Sequence, residues 1–305
     1  MIIILGKEDE AHASHVANAL KAKNENYTFL DTSKYPMEIL IDWKADEQNS
    51  GKITIDNKKI NLSDIKSVYW RNFSDVKYEI FEDGENTEFL SYMIERERRS
   101  ALHSLFYSLD INWVNSMNAF DLHKKKAYLT NLFKKNGIRV PKTLITNDKE
   151  ALVKFYEENN KKIIYKPVLG GAYTQRITEE NLTEEYLNTL KISPVQFQEC
   201  VEGVDIRVYA FKNTLYSAMI EASTIDFRED SNSKLIQVEL PQKIKDDCIK
   251  MMKLADLKYS GIDIRLTPQG EYVFIEANPA PMFIHAENVT GFPLTEELVK
   301  LLTNN

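Results

Sequence analysis

Short apolar runs alternate with amphipathic stretches along the whole chain. Ile2-Ile3-Ile4-Leu5 is a continuous apolar run, as expected for a strand buried on both faces. Ala11 to Leu20 follows with Ala13, Val16, Ala17 and Leu20 at helical spacing. Strands are predicted at Tyr27–Leu30, Met37–Trp43 and Val68–Trp70, and a hairpin of Ile53–Ile55 with Lys59–Asn61 around Asp56-Asn57. A long helix is predicted from Asn86 to Leu109, its apolar stripe lying opposite Glu95-Arg96-Glu97-Arg98-Arg99. That charge run reads as a solvated face with i,i+4 pairs or as part of a subunit contact. His12 and His15 have no metal-ligand company nearby, which points to surface or capping roles.

The middle of the chain predicts a helix over Asp121–Asn136, stopped by Gly137 as a C-cap residue. A strand at Lys142–Ile145 and a helix at Lys149–Glu158, capped by Asn147 or Asp148, come next. The strand Ile163–Pro167 releases into a loop with Gly170-Gly171. Its backbone N–H groups are suited to close over phosphates, although a plain turn is the other reading of paired glycines. Further on, Gln196–Val201 reads as a strand and Gly203 as a break. Val204–Phe211 and Leu215–Glu221 form a hairpin, Ala222–Lys234 a polar loop, Pro241–Leu257 an amphipathic helix, and a last helix runs from Thr295. No internal repeat or low-complexity tract is present.

The densest chemistry lies in Tyr259–Pro279, two strands joined at Thr267-Pro268-Gln269-Gly270. Strand alternation puts Asp263 and Arg265 on one face and Ile262, Ile264 and Leu266 on the other. On the return strand it groups Glu276 and Asn278 with Tyr272 and Phe274. A two-residue loop at Gln269-Gly270, or a four-residue loop around it, sets Asp263 across from Glu276. Facing carboxylates repel unless a cation joins them. Three oxygen ligands, Asp263, Glu276 and Asn278, suit Mg²⁺ completed by phosphate and water. The alternative is a solvated acidic patch.

Bulk properties narrow the classes. A chain of 305 residues is long enough for two or three subdomains, and 43% hydrophobic with 28% charged residues is ordinary for a soluble protein. A net charge of −7 gives no support to nucleic-acid binding. No apolar run approaches the roughly 20 residues that span a bilayer. The first strand runs straight into Lys7-Glu8-Asp9-Glu10 and is not a signal peptide, so a cytoplasmic protein without membrane partners is expected. Cys200 and Cys248 read as reduced core residues.

Further candidates spread along the chain. Lys126 and Lys166 are cations on separate elements that can hold phosphates as point charges. Asp205 and Arg207 alternate onto one strand face, a carboxylate for a ribose hydroxyl beside a guanidinium for an anionic intermediate. Each alone is ambiguous with a surface residue.

In order, the motifs are Lys126 before Gly137-Ile138-Arg139-Val140-Pro141, Tyr165-Lys166-Pro167 with Gly170-Gly171, and Gln198-Glu199-Cys200-Val201. Asp205-Ile206-Arg207, Gly261-Ile262-Asp263 and Glu276-Ala277-Asn278-Pro279 complete the set. With these the chain resembles the ATP-grasp superfamily over nearly its full length. The resemblance implies an α/β (α+β) fold with an N-terminal domain at 1–115, a central lid domain at 116–197 and a C-terminal domain at 198–305 that sandwich ATP. It also implies that Lys126, Lys166 and the Gly170-Gly171 loop meet phosphates, that the Glu199–Val201 backbone binds adenine and that Asp205 takes the ribose. Asp263, Glu276 and Asn278 would bind Mg²⁺.

Within the superfamily the chain is similar to the microviridin-type, or graspetide, macrocyclising ligases. Asp31-Thr32-Ser33-Lys34-Tyr35-Pro36, Val68-Tyr69-Trp70-Arg71, Pro141–Asn147, Asp226-Phe227-Arg228 and Asp263–Phe274 carry that likeness. Asn72 stands where that family commonly has a second arginine, and Ala222-Ser223-Thr224-Ile225 is an unusual lead-in to Asp226. This resemblance implies activation of Asp or Glu side chains of a ribosomal precursor peptide (leader plus core) as acyl phosphates. Ester closure by Ser or Thr, or amide closure by Lys, would follow, with Arg207, Arg265 and Arg228 steadying the reacting groups. Val204–Glu221 and the helix near Leu182–Leu190 are then walls for the leader, and the Asn86–Leu109 helix could serve a homodimer. Rival readings are an ATP-grasp ligase adding amino acids to a protein tail or small metabolite, a kinase, and a non-catalytic nucleotide-dependent peptide binder.

Overall fold

Four consecutive apolar residues form β1 (Ile2–Leu5), and every one of them is buried. The computed structural model describes residues 1–74, 87–166, 174–221 and 234–303. The chain divides into two compact units: Met1–Asn118 with Met282–Glu287 and Pro293–Asn305, and Ala119–Pro281 with Asn288–Phe292.

In the first unit β1 is followed by α1 (Ala11–Ala22), β2 (Tyr27–Leu30), β3 (Ile39–Trp43), β4 (Gly51–Ile55), β5 (Lys58–Asn61), β6 (Ser67–Trp70), α2 (Thr87–Ser108) and β7 (Asn112–Val114). The order β2-β1-β6-β7 makes a parallel sheet, and β3-β4-β5 form a separate antiparallel one. α1 lays the predicted Ala13, Val16, Ala17 and Leu20 into the core. α3 (Met117–His123) leads out of this unit.

The second unit continues with α4 (Lys126–Lys135), β8 (Thr143–Thr146), α5 (Lys149–Glu158), β9 (Ile163–Lys166), β10 (Gln175–Arg176), α6 (Glu184–Asn188) and β11 (Val195–Glu199). β12 (Val204–Phe211), β13 (Thr214–Glu221), β14 (Lys234–Gln237), α7 (Gln242–Leu254), β15 (Tyr259–Leu266) and β16 (Tyr272–Asn278) complete it. One antiparallel sheet has the order β10-β9-β11-β8, the other β14-β13-β12-β15-β16. Ile206, Val208, Ala210, Ile262, Ile264 and Phe274 from the five-stranded sheet share a core with Leu129 and Phe133 of α4 and Met251 and Met252 of α7.

The chain closes with α8 (Ile284–Thr290) and α9 (Leu294–Thr303). α9 belongs to the first unit and buries Leu294, Leu298, Val299, Leu301 and Leu302 there. Ser67 Oγ donates to the Leu302 carbonyl at 2.8 Å, and Asn112 Nδ2 to that of Leu301 at 2.7 Å. The capping reading of His12 holds: it is buried, and its Nε2 accepts from Phe283 N–H at 3.0 Å. His15 Nε2 lies 2.8 Å from Thr295 Oγ1.

The predicted helix Asp121–Asn136 is two helices. Lys125 leaves helical dihedrals (φ −99°, ψ 55°), and its N–H bonds the Leu122 carbonyl three residues back. Ala119 before this break and Leu129 after it both reach the same core. Gly137 ends α4 as expected, with φ +80°. No helix of the described residues is long and apolar enough to cross a membrane. Neither Cys200 nor Cys248 is in a disulfide.

Candidate functional site

Two strands supply the centre of the site. β12 and β15 pair so that Asp205 faces Arg265 and Arg207 faces Asp263. Each acid meets the arginine across from it: Arg207 Nε lies 2.8 Å from Asp263 Oδ1, and Arg265 Nε 2.8 Å from Asp205 Oδ1. Arg265 Nη1 also donates to the Gly203 carbonyl at 2.9 Å. Alternation therefore sorts this sheet into an apolar side and a charged side. Gly261 belongs to the charged side, where a Cβ would stand 2.7 Å from Arg207 Nη1 and 2.7 Å from Pro281 Cβ. Its missing side chain is the space the guanidinium occupies.

Asp263 faces Glu276 on β16, as the hairpin arithmetic requires, but by a different route. Leu266 pairs with Tyr272, so the loop is the odd-length Thr267–Glu271, which offsets the register by one residue. A bulge then restores it, because Ile264 pairs with Phe274 while Asp263 pairs with Glu276, leaving Ile275 as the extra residue. This corrects the expected grouping of Glu276 and Asn278 with Tyr272 and Phe274. Phe274 is buried in the core beside Ile264, whereas Glu276 turns to the charged side.

The electrostatics of the pair follow from burial. Withdrawal from solvent pushes the Asp263 carboxyl up to about 6, against the pull of Arg207 and with the push of Glu276 and Asp205. Burial also drives Glu276 upward, but the charge of Lys126 and the neighbouring His123 outweigh it and hold Glu276 below the usual carboxylate range. Lys126, at the start of α4, donates from Nζ to Glu276 Oε2 at 3.1 Å. Lys166 at the end of β9 lowers both carboxylates through its charge. Asn278 follows Glu276 by two residues, and its Oδ1 accepts the Ala280 N–H at 2.9 Å.

This donor set fits a hard divalent cation. The facing carboxylates and the Asn278 amide are all oxygen donors, and an opposed, buried acid pair is stabilised by a positive charge between its members. Among the described residues no group of three or more His, Cys, Asp and Glu converges to hold a metal ion.

The strand β11 ends in the segment expected to meet adenine. Glu199 N–H bonds the Lys142 carbonyl at 3.0 Å and Cys200 N–H that of Lys162 at 2.9 Å. Among the described residues no hydrogen bond engages the Val201 N–H. Lys166 and Gln196 are registered opposite each other, so both project from the same face of that sheet. Gly170, Gly171 and Arg228 lie outside the described residues.

Two residues at the charged face were not among the sequence candidates. Tyr209 shares the parity of Asp205 and Arg207, and burial pushes its phenol upward; extending the alternation by two positions would have found it. His123 lies near Glu276 and Lys126, and burial depresses its imidazole. Its spacing from Lys126 is helical in the sequence, yet the break between α3 and α4 decides where it goes.

The folded chain is a mixed α/β ATP-grasp ligase, a fold that binds ATP. Residues 123–302 match the RimK-like ATP-grasp domain, and the chain belongs to that family. Residues 1–121 match the MvdD pre-ATP grasp domain. The alpha-aminoadipate–LysW ligase LysX of Sulfurisphaera tokodaii is 22% identical over 209 residues, 65% of this chain and 73% of that protein. Among solved structures, the ATP-grasp ligase PsnB complexed with a minimal precursor has a TM-score of 0.85 at 27% identity, over 99% of this chain and 97% of its own. The macrocyclase MdnC from Microcystis aeruginosa MRC, bound with precursor peptide MdnA, has a TM-score of 0.86 at 23% identity, over 100% and 99% of the two chains, a likeness of fold.

Proposed function

We propose that this ligase activates Asp or Glu side chains of a ribosomal precursor peptide and closes macrocycles on it. The observation that carries this is the buried Asp263–Glu276 pair framed by Lys126, Lys166 and Arg207, on a chain similar end to end to PsnB. A peptide carboxylate oxygen attacks the γ-phosphorus of ATP and ADP leaves, giving an acyl phosphate. A Ser or Thr hydroxyl, or a Lys amine, of the same peptide then attacks the acyl carbon and phosphate leaves. The peptide loses one water per ring.

The residues divide this work by charge. Lys126 and Lys166, with Gly170 and Gly171, hold phosphate oxygens, while Asp205 takes a ribose hydroxyl and the backbone of Glu199 and Val201 meets adenine. Asp263, Glu276 and Asn278 would hold Mg²⁺, which when bound neutralises charge on the transferring phosphate. Arg207, Arg265 and Arg228 steady the substrate carboxylate and the acyl phosphate. Unchanged ligation and ATP turnover in Arg265→Ala would remove that residue from the list. The domain limits 1–115, 116–197 and 198–305, a cytoplasmic location and a homodimer through α2 belong to the same reading.

Mass spectrometry of a candidate precursor incubated with enzyme, ATP and Mg²⁺ tests it, with loss of one water per ring expected. The similarity to LysX supports a second reading, addition of amino acids to a protein tail. In that case the same incubation with free amino acids added shows mass gained in amino-acid steps and no ring dehydration.

A further inference from the structure

The chain enters the β10-β9-β11-β8 sheet once, between α4 and β8, and leaves it once, between β11 and β12. Arg139 stands on the first of these connections, and Glu199 opens the second. The two run side by side, since Glu199 N–H bonds the Lys142 carbonyl at 3.0 Å. Arg139 Nη2 lies 2.6 Å from Glu199 Oε1, and Arg139 Nε lies 3.0 Å from Glu271 Oε1. Glu271 is the last residue of the loop before β16, and the Arg139 carbonyl accepts the Phe274 N–H of that strand at 2.8 Å. One residue therefore ties together both connections and the hairpin that carries Asp263 and Glu276.

We propose that Arg139 is a positioning residue for the nucleotide, holding the Glu199–Val201 backbone where it meets the purine ring. The proposal rests on the ATP reading given above and concerns how that site is kept in shape. Stability alone is a poor account of the arrangement. The Arg139 side chain is 31% exposed, and of its two partners Glu271 is 52% and Glu199 15% exposed, so the Glu271 pair contributes little to folding. A planar guanidinium can satisfy two carboxylates in fixed directions, which an ammonium cannot do. The clamp acts on backbone geometry, and backbone geometry is what a purine would sense at Val201, whose N–H is not engaged within the described residues.

The test is calorimetric binding of ADP and of inorganic tripolyphosphate, each with Mg²⁺, to the full chain and its variants. Arg139→Met should weaken ADP about tenfold, the size expected for losing a charge-assisted contact, and leave tripolyphosphate unchanged. Arg139→Lys should recover part of the ADP affinity, and Glu199→Gln should reproduce the loss without adding to that of Arg139→Met. Equal weakening of both ligands, or ADP affinity unchanged in Arg139→Met, overturns the clamp while the ATP reading stands. If the unmodified chain binds neither ligand, the ATP reading falls and the clamp with it.

Discussion

The parallel sheet of the first unit and the five-stranded sheet of the second use similar strands for opposite ends. β1 and β6 are buried at every position, and the Ser67 hydroxyl on β6 anchors α9. β12 and β15 bury one side and load the other with two acid–arginine pairs. Buried ion pairs are weak contributors to stability because desolvation offsets much of their attraction. A sheet that carries four such charges, with Asp263 also facing Glu276 across the next strand, is shaped for a ligand. The all-apolar sheet is shaped for holding the chain together.

The largest expected effect falls on the charged sheet. Asp263→Asn should lower ligation by a factor of ~10³ or more if the pair holds the cation at the phosphate, while circular dichroism stays unchanged. Retained turnover would turn the charged face into a structural ion-pair network. On the other side of the comparison, Leu298→Ala in α9 should destabilise by about 2–5 kcal/mol in denaturant melts, since its side chain is fully buried. Its kcat in the surviving folded fraction should not change.

Acid titration separates the two regions by sign. The folded state raises Asp263 from 3.8 to about 6, so its neutral form is favoured by folding. That stabilisation is complete below 3.8 and lost as pH rises to about 6. Glu10 behaves oppositely. Burial works to raise it, but the Arg71 guanidinium, with Nε and Nη2 each 3.0 Å away, prevails and lowers it below its usual 4.5. Its contribution is present above 4.5 and is lost as pH falls through the lower folded value. Urea melts of the metal-free chain, Asp263→Asn and Glu10→Gln across this range should show the two slopes vanish separately.

Smaller effects sharpen the contrast. Gly261→Ala must displace either Arg207 or Pro281, and should cost about 1–3 kcal/mol together with a larger fractional loss of ligation rate. The exposed Lys149–Glu184 pair is the negative control: Lys149→Ala should leave both activity and the unfolding midpoint unchanged. A measurable drop in activity there would extend the site beyond the charged sheet.

Much of the architecture was legible because it depends on local periodicity. The α1 stripe, the Gly137 stop and the Asp148 cap follow from helical spacing and residue type. The motif order from Lys126 to Asn278 was enough to mark an ATP-grasp chain. What escaped depends on compensation between distant segments. An odd loop and a bulge at Ile275 cancel in register, so the facing acids come out right while Phe274 is placed on the wrong side. Three consecutive lysines gave no sign that a helix breaks at Lys125 to turn Lys126 onto Glu276.

The sequence by itself determined the apolar faces of α1, β12 and β15, and which acids and arginines on β12 and β15 share a face for chemistry. Those choices are set by the two backbone periods, which any short segment carries on its own. Only the tertiary structure decided partners: Arg207 with Asp263, Arg265 with Asp205, Arg139 with Glu199 and Glu271, and α9 with the first unit although it ends the chain. Partnership depends on register, bulges and burial, and the raised Asp263 carboxyl exists only after many segments have together removed its water.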